Sequence, residues 1–333
     1  MPAIHVFGSD AEPGDGAVFH SQTLAAASGP ELNSLLPATG VVILRGGSIP
    51  ESQALSAALS ELESSDAAVV LVDSGSDFGY LCAELPVFLA SLAMAPESRC
   101  AVAVDAERVR AAGGFQDVDS PIRELVVRLI LKDEASVTAM TYSCGPPGAL
   151  PPIDVELPLV DPAWPPRSHR WLASTLASLR IRDALPGVSS SVEATALHAG
   201  LWQTNDWLDE SHQCSQSIEG DGEGNGDYWH AVMHRREPDA SNSKYWFRRV
   251  GHHACFHWLS EVAATALDES GSPEAASWKN RLGASGNWDS LAFVDLCQAT
   301  SRGGDAGLAQ AARRIQWAEM LLLLVHTARA ATS

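Results

Sequence analysis

Between Gly145 and Pro166 the chain reads GPPGALPPIDVELPLVDPAWPP, and no long helix can run through such a stretch. Each proline removes a backbone donor, fixes its own φ and pushes the preceding residue out of the helical region. An extended connector is predicted over 145–168, dividing the chain into a front part, 1–144, and a back part, 169–333. Before the connector, β-branched runs at Gly40 to Leu44 and Ala67 to Val72 flank a segment, Glu51 to Glu63, with apolar residues at helical spacing. That pattern predicts a β-α-β unit, followed by a helical run at Leu81 to Ala95, a strand near Cys100 to Val104, a helix at Ser120 to Leu131 and a closing strand at Ser136 to Tyr142. After the connector helix dominates: His169 to Ala184, Val192 to Ser217, Asp227 to Arg236, Ser243 to Arg249, His252 to Leu267, Pro273 to Leu282 and Asp305 to Ala331. The fold class expected is therefore an α/β domain followed by an all-α domain.

The charge balance narrows the partners. With 22 Lys and Arg against 41 Asp and Glu, the net charge is −19. Such a surface repels the phosphates of nucleic acid and the headgroups of anionic membranes, so neither is expected as a partner. The apolar runs at Leu85 to Ala95 and Met320 to Val325 are shorter than the ~20 residues that span a bilayer. The start, MPAIHVFGSDAEPGDG, lacks the basic and apolar regions of a secretory signal, and a cytoplasmic location is expected. The six cysteines, Cys82, Cys100, Cys144, Cys214, Cys255 and Cys297, are dispersed, with no close pair of the kind that binds metal or cycles redox, and read as reduced thiols.

Two stretches of the front part, Thr39 to Asp73 and Arg99 to Leu129, resemble the central and later parts of a family 2 glycosyltransferase. The second contains the turn Gly113-Gly114-Phe115 ahead of a helix. The resemblance implies a GT-A-like nucleotide-sugar fold over roughly the first 140 residues. It also implies metal-binding aspartates, where this chain has Arg45-Gly46-Gly47, and an acidic catalytic pair, where it has Pro121-Ile122 with Asp117, Asp119 and Glu124 displaced around them. These departures point to an incomplete scaffold without transferase activity.

Residues 198–258 hold seven of the eleven histidines and five of the ten tryptophans. If Val192 to Ser217 is one helix, His198, Trp202, Asn205, Asp209, His212 and Gln216 share a face. His230 and His234 are one turn apart and project the same way, with Glu237 further along, and Asp209 and His212 have the i, i+3 spacing with which helical bundles present a carboxylate and an imidazole to one metal. Asp209, His212, His230 and His234 are thus the candidate ligands of a mononuclear zinc, iron or manganese site. Arg235, Lys244, Tyr245 and Arg248, with Asn205 and His212, are candidates to hold a small carbohydrate-like or anionic ligand by stacking and forked hydrogen bonds. His230, His234, Glu237 and Asp209 are the candidate acid–base groups. The pattern at Asp227 to His230, His234 to Glu237 and Lys244 to Arg248 is similar to that of a set of uncharacterised bacterial and fungal helical proteins. That similarity implies a shared site but no reaction. The leading expectation is a polar pocket in the helical domain that binds a small polar molecule, with or without metal. The alternatives are a non-catalytic interaction protein on a degenerate transferase scaffold and an active glycosyltransferase.

Overall fold

A computed structural model describes residues 4–7, 17–20, 27–37, 41–45, 52–73, 75–96, 99–141, 169–283, 288–301 and 303–333. The proline-rich connector, Cys144 and the Gly46-Gly47 pair lie outside the described residues, as does the side chain of Arg45. By its internal contacts the chain forms two units, one of residues 1–151 and 169–177 and the other of residues 152–168 and 178–333.

The first unit holds six short strands: β1 (Ile4–Phe7), β2 (Ala17–His20), β3 (Val41–Arg45), β4 (Val69–Asp73), β5 (Ala101–Asp105) and β6 (Val137–Thr141). Its helices are α1 (Gly29–Leu35), α2 (Ser52–Ser64), α3 (Asp77–Glu84), α4 (Val87–Ala93), α5 (Ala106–Ala111) and α6 (Pro121–Lys132), joined by α7 (Arg170–Ser178). The strands form one mixed sheet in the order β2-β1-β3-β5-β4-β6. Ala54, Ala58 and Leu62, at intervals of four residues on α2, pack with Val70, Val72, Ala101 and Ala103 of the sheet as an apolar cluster. Pro86 separates α3 from α4 where the apolar pattern suggests a single helix.

The second unit is built of helices: α8 (Ile181–Ala184), α9 (Ser191–Gln203), α10 (Leu208–Ser217), α11 (Asn225–Arg236), α12 (Ala240–Val250), α13 (Cys255–Asp268), α14 (Ala275–Arg281), α15 (Ser290–Ser301) and α16 (Ala306–Thr332). Every residue of α11 is buried, and it packs on α9, α10 and α12. Gly200 lets the α9 backbone come close: a Cβ there would lie 2.5 Å from Trp229 and 2.8 Å from Leu324. Although α16 is 27 residues long, it carries Arg313, Arg314, Gln316 and Glu319, and no helix among the described residues is long and apolar enough to cross a membrane.

The expected fold class, a GT-A-like α/β domain followed by an all-α domain, is corrected. The protein is mainly helical, with sixteen α-helices against six short strands among the described residues. The predicted β-α-β unit does not form as a pair, because β5 lies between β3 and β4 and runs antiparallel to both. Periodicity locates strands but carries no information about their order, and so could not reveal the inserted strand.

The Gly113-Gly114-Phe115 turn is a structural corner. Asn33 Nδ2 donates to the Phe115 carbonyl at 2.8 Å and Asn33 Oδ1 accepts from the Phe115 amide at 2.9 Å. Gly114 has φ +69, and a Cβ there would lie 2.5 Å from Asn33 Oδ1. Asn33→Ala is expected to lower the unfolding free energy by about 1–3 kcal/mol. Gly114→Ala is expected to destabilise through the same contact, so that urea denaturation shows the double variant losing less than the sum of the two.

Candidate metal centre

Polar residues inside a fully buried helix must find partners, and besides Tyr228 α11 carries five ionisable ones, Asp227, His230, His234, Arg235 and Arg236. Asp227 accepts from Arg249 Nε at 3.2 Å, Arg235 pairs with Glu319, Arg236 pairs with Asp206, and His234 Nδ1 lies 3.0 Å from Glu237 Oε2. His230 is the exception. It is 2% exposed, and neither ring nitrogen has a hydrogen-bond partner.

The paired residues set the rotation of α11. Tyr228 and Arg235 are seven residues apart and share a face, on which Tyr228 Oη donates to Glu319 Oε1 at 2.8 Å and Arg235 reaches Glu319 and Gln316 of α16. The Arg235 guanidinium also lies 4.6 Å from the Phe293 ring centre. His230 and His234, four residues apart, point to the opposite side. There His230 stacks on Trp246 at 3.9 Å between ring centres, and its ring centre is 4.9 Å from that of His234.

The third histidine arrives from α10. The expected single helix over Val192 to Ser217 is interrupted, because Asp206 takes a left-handed conformation, φ 62. The Asp206 amide bonds to the Gln203 carbonyl and the Trp207 amide to the Trp202 carbonyl, the pattern that closes a helix end around a left-handed residue. Arg236 holds this corner from α11, donating to the Gln203 carbonyl at 2.7 Å as well as pairing with Asp206. Beyond the corner α10 starts afresh and places His212 4.7 Å from His230 and 5.2 Å from His234, ring centre to ring centre. His212, His230 and His234 each offer a nitrogen, and the three nitrogens lie within 4.8 Å of one another. Three imidazoles so placed can hold a metal ion.

Burial, with His234, His212 and Arg249 adding to it, pushes the His230 pKa down to about 3, so its ring is neutral and carries a lone pair at ordinary pH. Burial also lowers His234, against the pull of Glu237. The carboxylate beside Nδ1 favours a proton on that nitrogen and leaves Nε2 as the donor to a metal.

The break at Asp206 disperses the rest of the predicted face. Asp209 is exposed and lies outside the histidine cluster. Asn205 is buried in the corner, its amide donating to the Leu201 carbonyl at 2.7 Å. Arg235 is enclosed by Glu319, Gln316 and Phe293, with no path to a ligand beside the histidines. Lys244 pairs with Asp295 at 2.5 Å, Tyr245 is half exposed with its hydroxyl 3.5 Å from Arg249, and Arg248 is exposed. Asn242 and Trp246, an amide and an indole that the sequence offers beside Lys244 and Tyr245, with Trp246 favoured as core, lie beside His234 and under His230, and Glu319 under Arg235 is a further residue that the sequence reading did not include. Glu319 had a readable signal, since a carboxylate within an otherwise leucine-rich helix needs a buried partner.

No family model, characterised protein or solved structure matches the chain. The likeness to family 2 glycosyltransferases therefore rests on the quoted sequence stretches alone.

A second histidine cluster is structural. His253 Nε2 lies 3.0 Å from Asn225 Oδ1, and His253 Nδ1 accepts from the Cys255 amide at 3.2 Å. Asn225 in turn donates to Glu193 at 2.7 Å. The neutral Nε2–H tautomer fits both contacts, and burial lowers the His253 pKa to about 3. The unfolded chain therefore takes up the proton first, and stability falls as pH drops from about 6.5 towards about 3, by up to about 1.4 kcal/mol per pH unit for this group. His253→Gln is expected to flatten the loss of stability between pH 6 and pH 4, read from urea midpoints; an unchanged slope would show that His253 contributes nothing to it.

Proposed function

We propose that the protein is a metal-dependent binding protein or enzyme in which His212, His230 and His234 hold one divalent transition metal and a small polar molecule completes its coordination. The observation that carries this reading is His230: a 98%-buried imidazole without a hydrogen-bond partner, facing two further imidazoles. A buried polar side chain left unpaired costs about 1–3 kcal/mol, whereas a ligand nitrogen needs its lone pair free. Three neutral imidazoles with no carboxylate favour zinc, or iron, over manganese among the metals expected from the sequence.

Three protein ligands with one open position is the arrangement of catalytic zinc rather than structural zinc. A metal bound there would act as a Lewis acid on an oxygen of the bound molecule. The chain itself contributes orientation. Trp246 holds the His230 ring by stacking, and Glu237 holds His234 in one tautomer. The reaction class this suits best is metal-assisted hydrolysis or isomerisation of a small polar substrate.

Elemental analysis of zinc-loaded protein is expected to show one ion per chain, and zinc is expected to raise the melting temperature. His230→Leu is expected to keep or raise the melting temperature of the metal-free protein, because it removes an unsatisfied buried group. The same variant is expected to abolish the rise with zinc. A histidine kept for packing gives the reverse, a destabilised variant and no response to zinc in either protein. Glu237→Gln is expected to weaken zinc about 10- to 100-fold, read by competition with a chromophoric chelator.

A further inference from the structure

We infer that the ligand completing the metal's coordination is a small anion with an oxygen donor, and that the Asn242 amide is the hydrogen-bond donor that selects it. This rests on the reading of the histidine cluster as a metal site.

Asn242 Nδ2 lies 3.0 Å from His234 Nε2 and 3.4 Å from Nδ1. The lone-pair axes of the two ring nitrogens point away from each other, so a group nearly equidistant from both lies off both axes. The amide therefore flanks the ring, with Nε2 as its nearer acceptor; an ion on Nε2 would take that lone pair and turn the amide hydrogens to the ion's remaining ligand. Nδ1 already has Glu237.

The position of Asn242 is built rather than incidental. Its backbone amide donates to the Asp239 side chain at 3.0 Å as part of the cap of α12. The next residue, Ser243, donates from its hydroxyl to the Ala231 carbonyl at 2.8 Å, which ties α12 to α11 one turn from His234. A side chain held at this point is preorganised for whatever binds beside Nε2.

The charges favour an anion. Three neutral imidazoles leave a divalent ion with its full charge, in partly buried surroundings where that charge is poorly screened. The carboxylates close to the cluster are committed, Glu237 to His234 and Asp239 to the cap of α12. Asp209 is exposed and outside the cluster. On the far side of the His230 stack the Arg249 guanidinium lies 4.7 Å from the Trp246 ring centre and adds positive charge, partly offset by Asp227 and Glu219. A carboxylate or phosphate oxygen satisfies both the ion and the Asn242 donor; a neutral sugar hydroxyl satisfies the ion poorly.

The test uses the full chain loaded with cobalt(II), whose visible bands report the coordination shell, titrated with formate. The wild type is expected to bind cobalt(II) and to change spectrum saturably with formate. Asn242→Ala is expected to retain the cobalt bands and to bind formate about tenfold more weakly, as the loss of one hydrogen bond to a charged group predicts. Asn242→Ser keeps a donor and is expected to fall between the two. Equal formate affinity in wild type and Asn242→Ala, or a wild-type spectrum indifferent to formate, overturns the inference while leaving the metal site standing. Loss of the cobalt bands in both variants marks a structural role for Asn242 and overturns it as well. A wild type without cobalt bands sinks the metal reading itself, so the two failures have different signatures.

Discussion

The buried ion pair between Arg235 and Glu319 is the constraint on which the second unit depends. Both side chains are sealed from solvent, so neither charge can be stabilised except by the other and by the groups around them, the Tyr228 hydroxyl, the Gln316 amide and the face of Phe293. Leaving one such charge uncompensated costs about 3–5 kcal/mol, far more than an α-helix gains from any single apolar contact. A helix carrying Arg235 therefore has one acceptable rotation about its axis. Because His230 and His234 lie on the other side of the same turns, that rotation aims them away from α16 and towards α10 and α12.

The same logic links α10 to the site. Arg236, adjacent to Arg235, reaches back to the corner at Asp206 and holds the left-handed residue that separates α9 from α10. The neighbouring arginines thus divide the work: one sets the face of α11, the other sets where the helix bearing His212 begins. What remains without a polar partner in the middle of this well-paired helix is His230, between Trp246 and the two other imidazoles. His230 has no hydrogen bond at all, whereas Arg235 and Arg236 keep unpartnered nitrogens beside their ion pairs.

Local periodicity made part of this legible in the sequence. The spacing of His230 and His234 sufficed to show a shared direction, and His212 stood out beside Asp209 for the same reason. Asp209 could not be judged, because the six-residue face was drawn on one continuous helix, and a single αL residue at Asp206 shifts everything after it. Glu319 stands out among the leucines of its helix, but the identity of its partner is out of reach of any local pattern, since the pairing with Arg235 spans 84 residues. In the first unit the strands β3, β4 and β5 were recognisable from their β-branched runs, but the sheet places β5 between the other two, an order set by long-range pairing. Lys244 and Arg235 look available for a ligand in the sequence, whereas the fold pairs them with Asp295 and Glu319, partners that no local pattern shows.

The distance along the chain between Arg235 and Glu319 also orders events during synthesis. Arg235 leaves the ribosome 84 residues ahead of its counter-ion, a delay on the order of ten seconds at ordinary elongation rates. Throughout that interval α11 cannot be enclosed without stranding a guanidinium, so the nascent segment has reason to stay hydrated and loosely docked. The three imidazoles are all translated by then, but the ion pair that fixes the face of α11 can form only when α16 emerges. An ion held by these three imidazoles would consequently be captured late, after completion of the helical unit rather than as a guide to it.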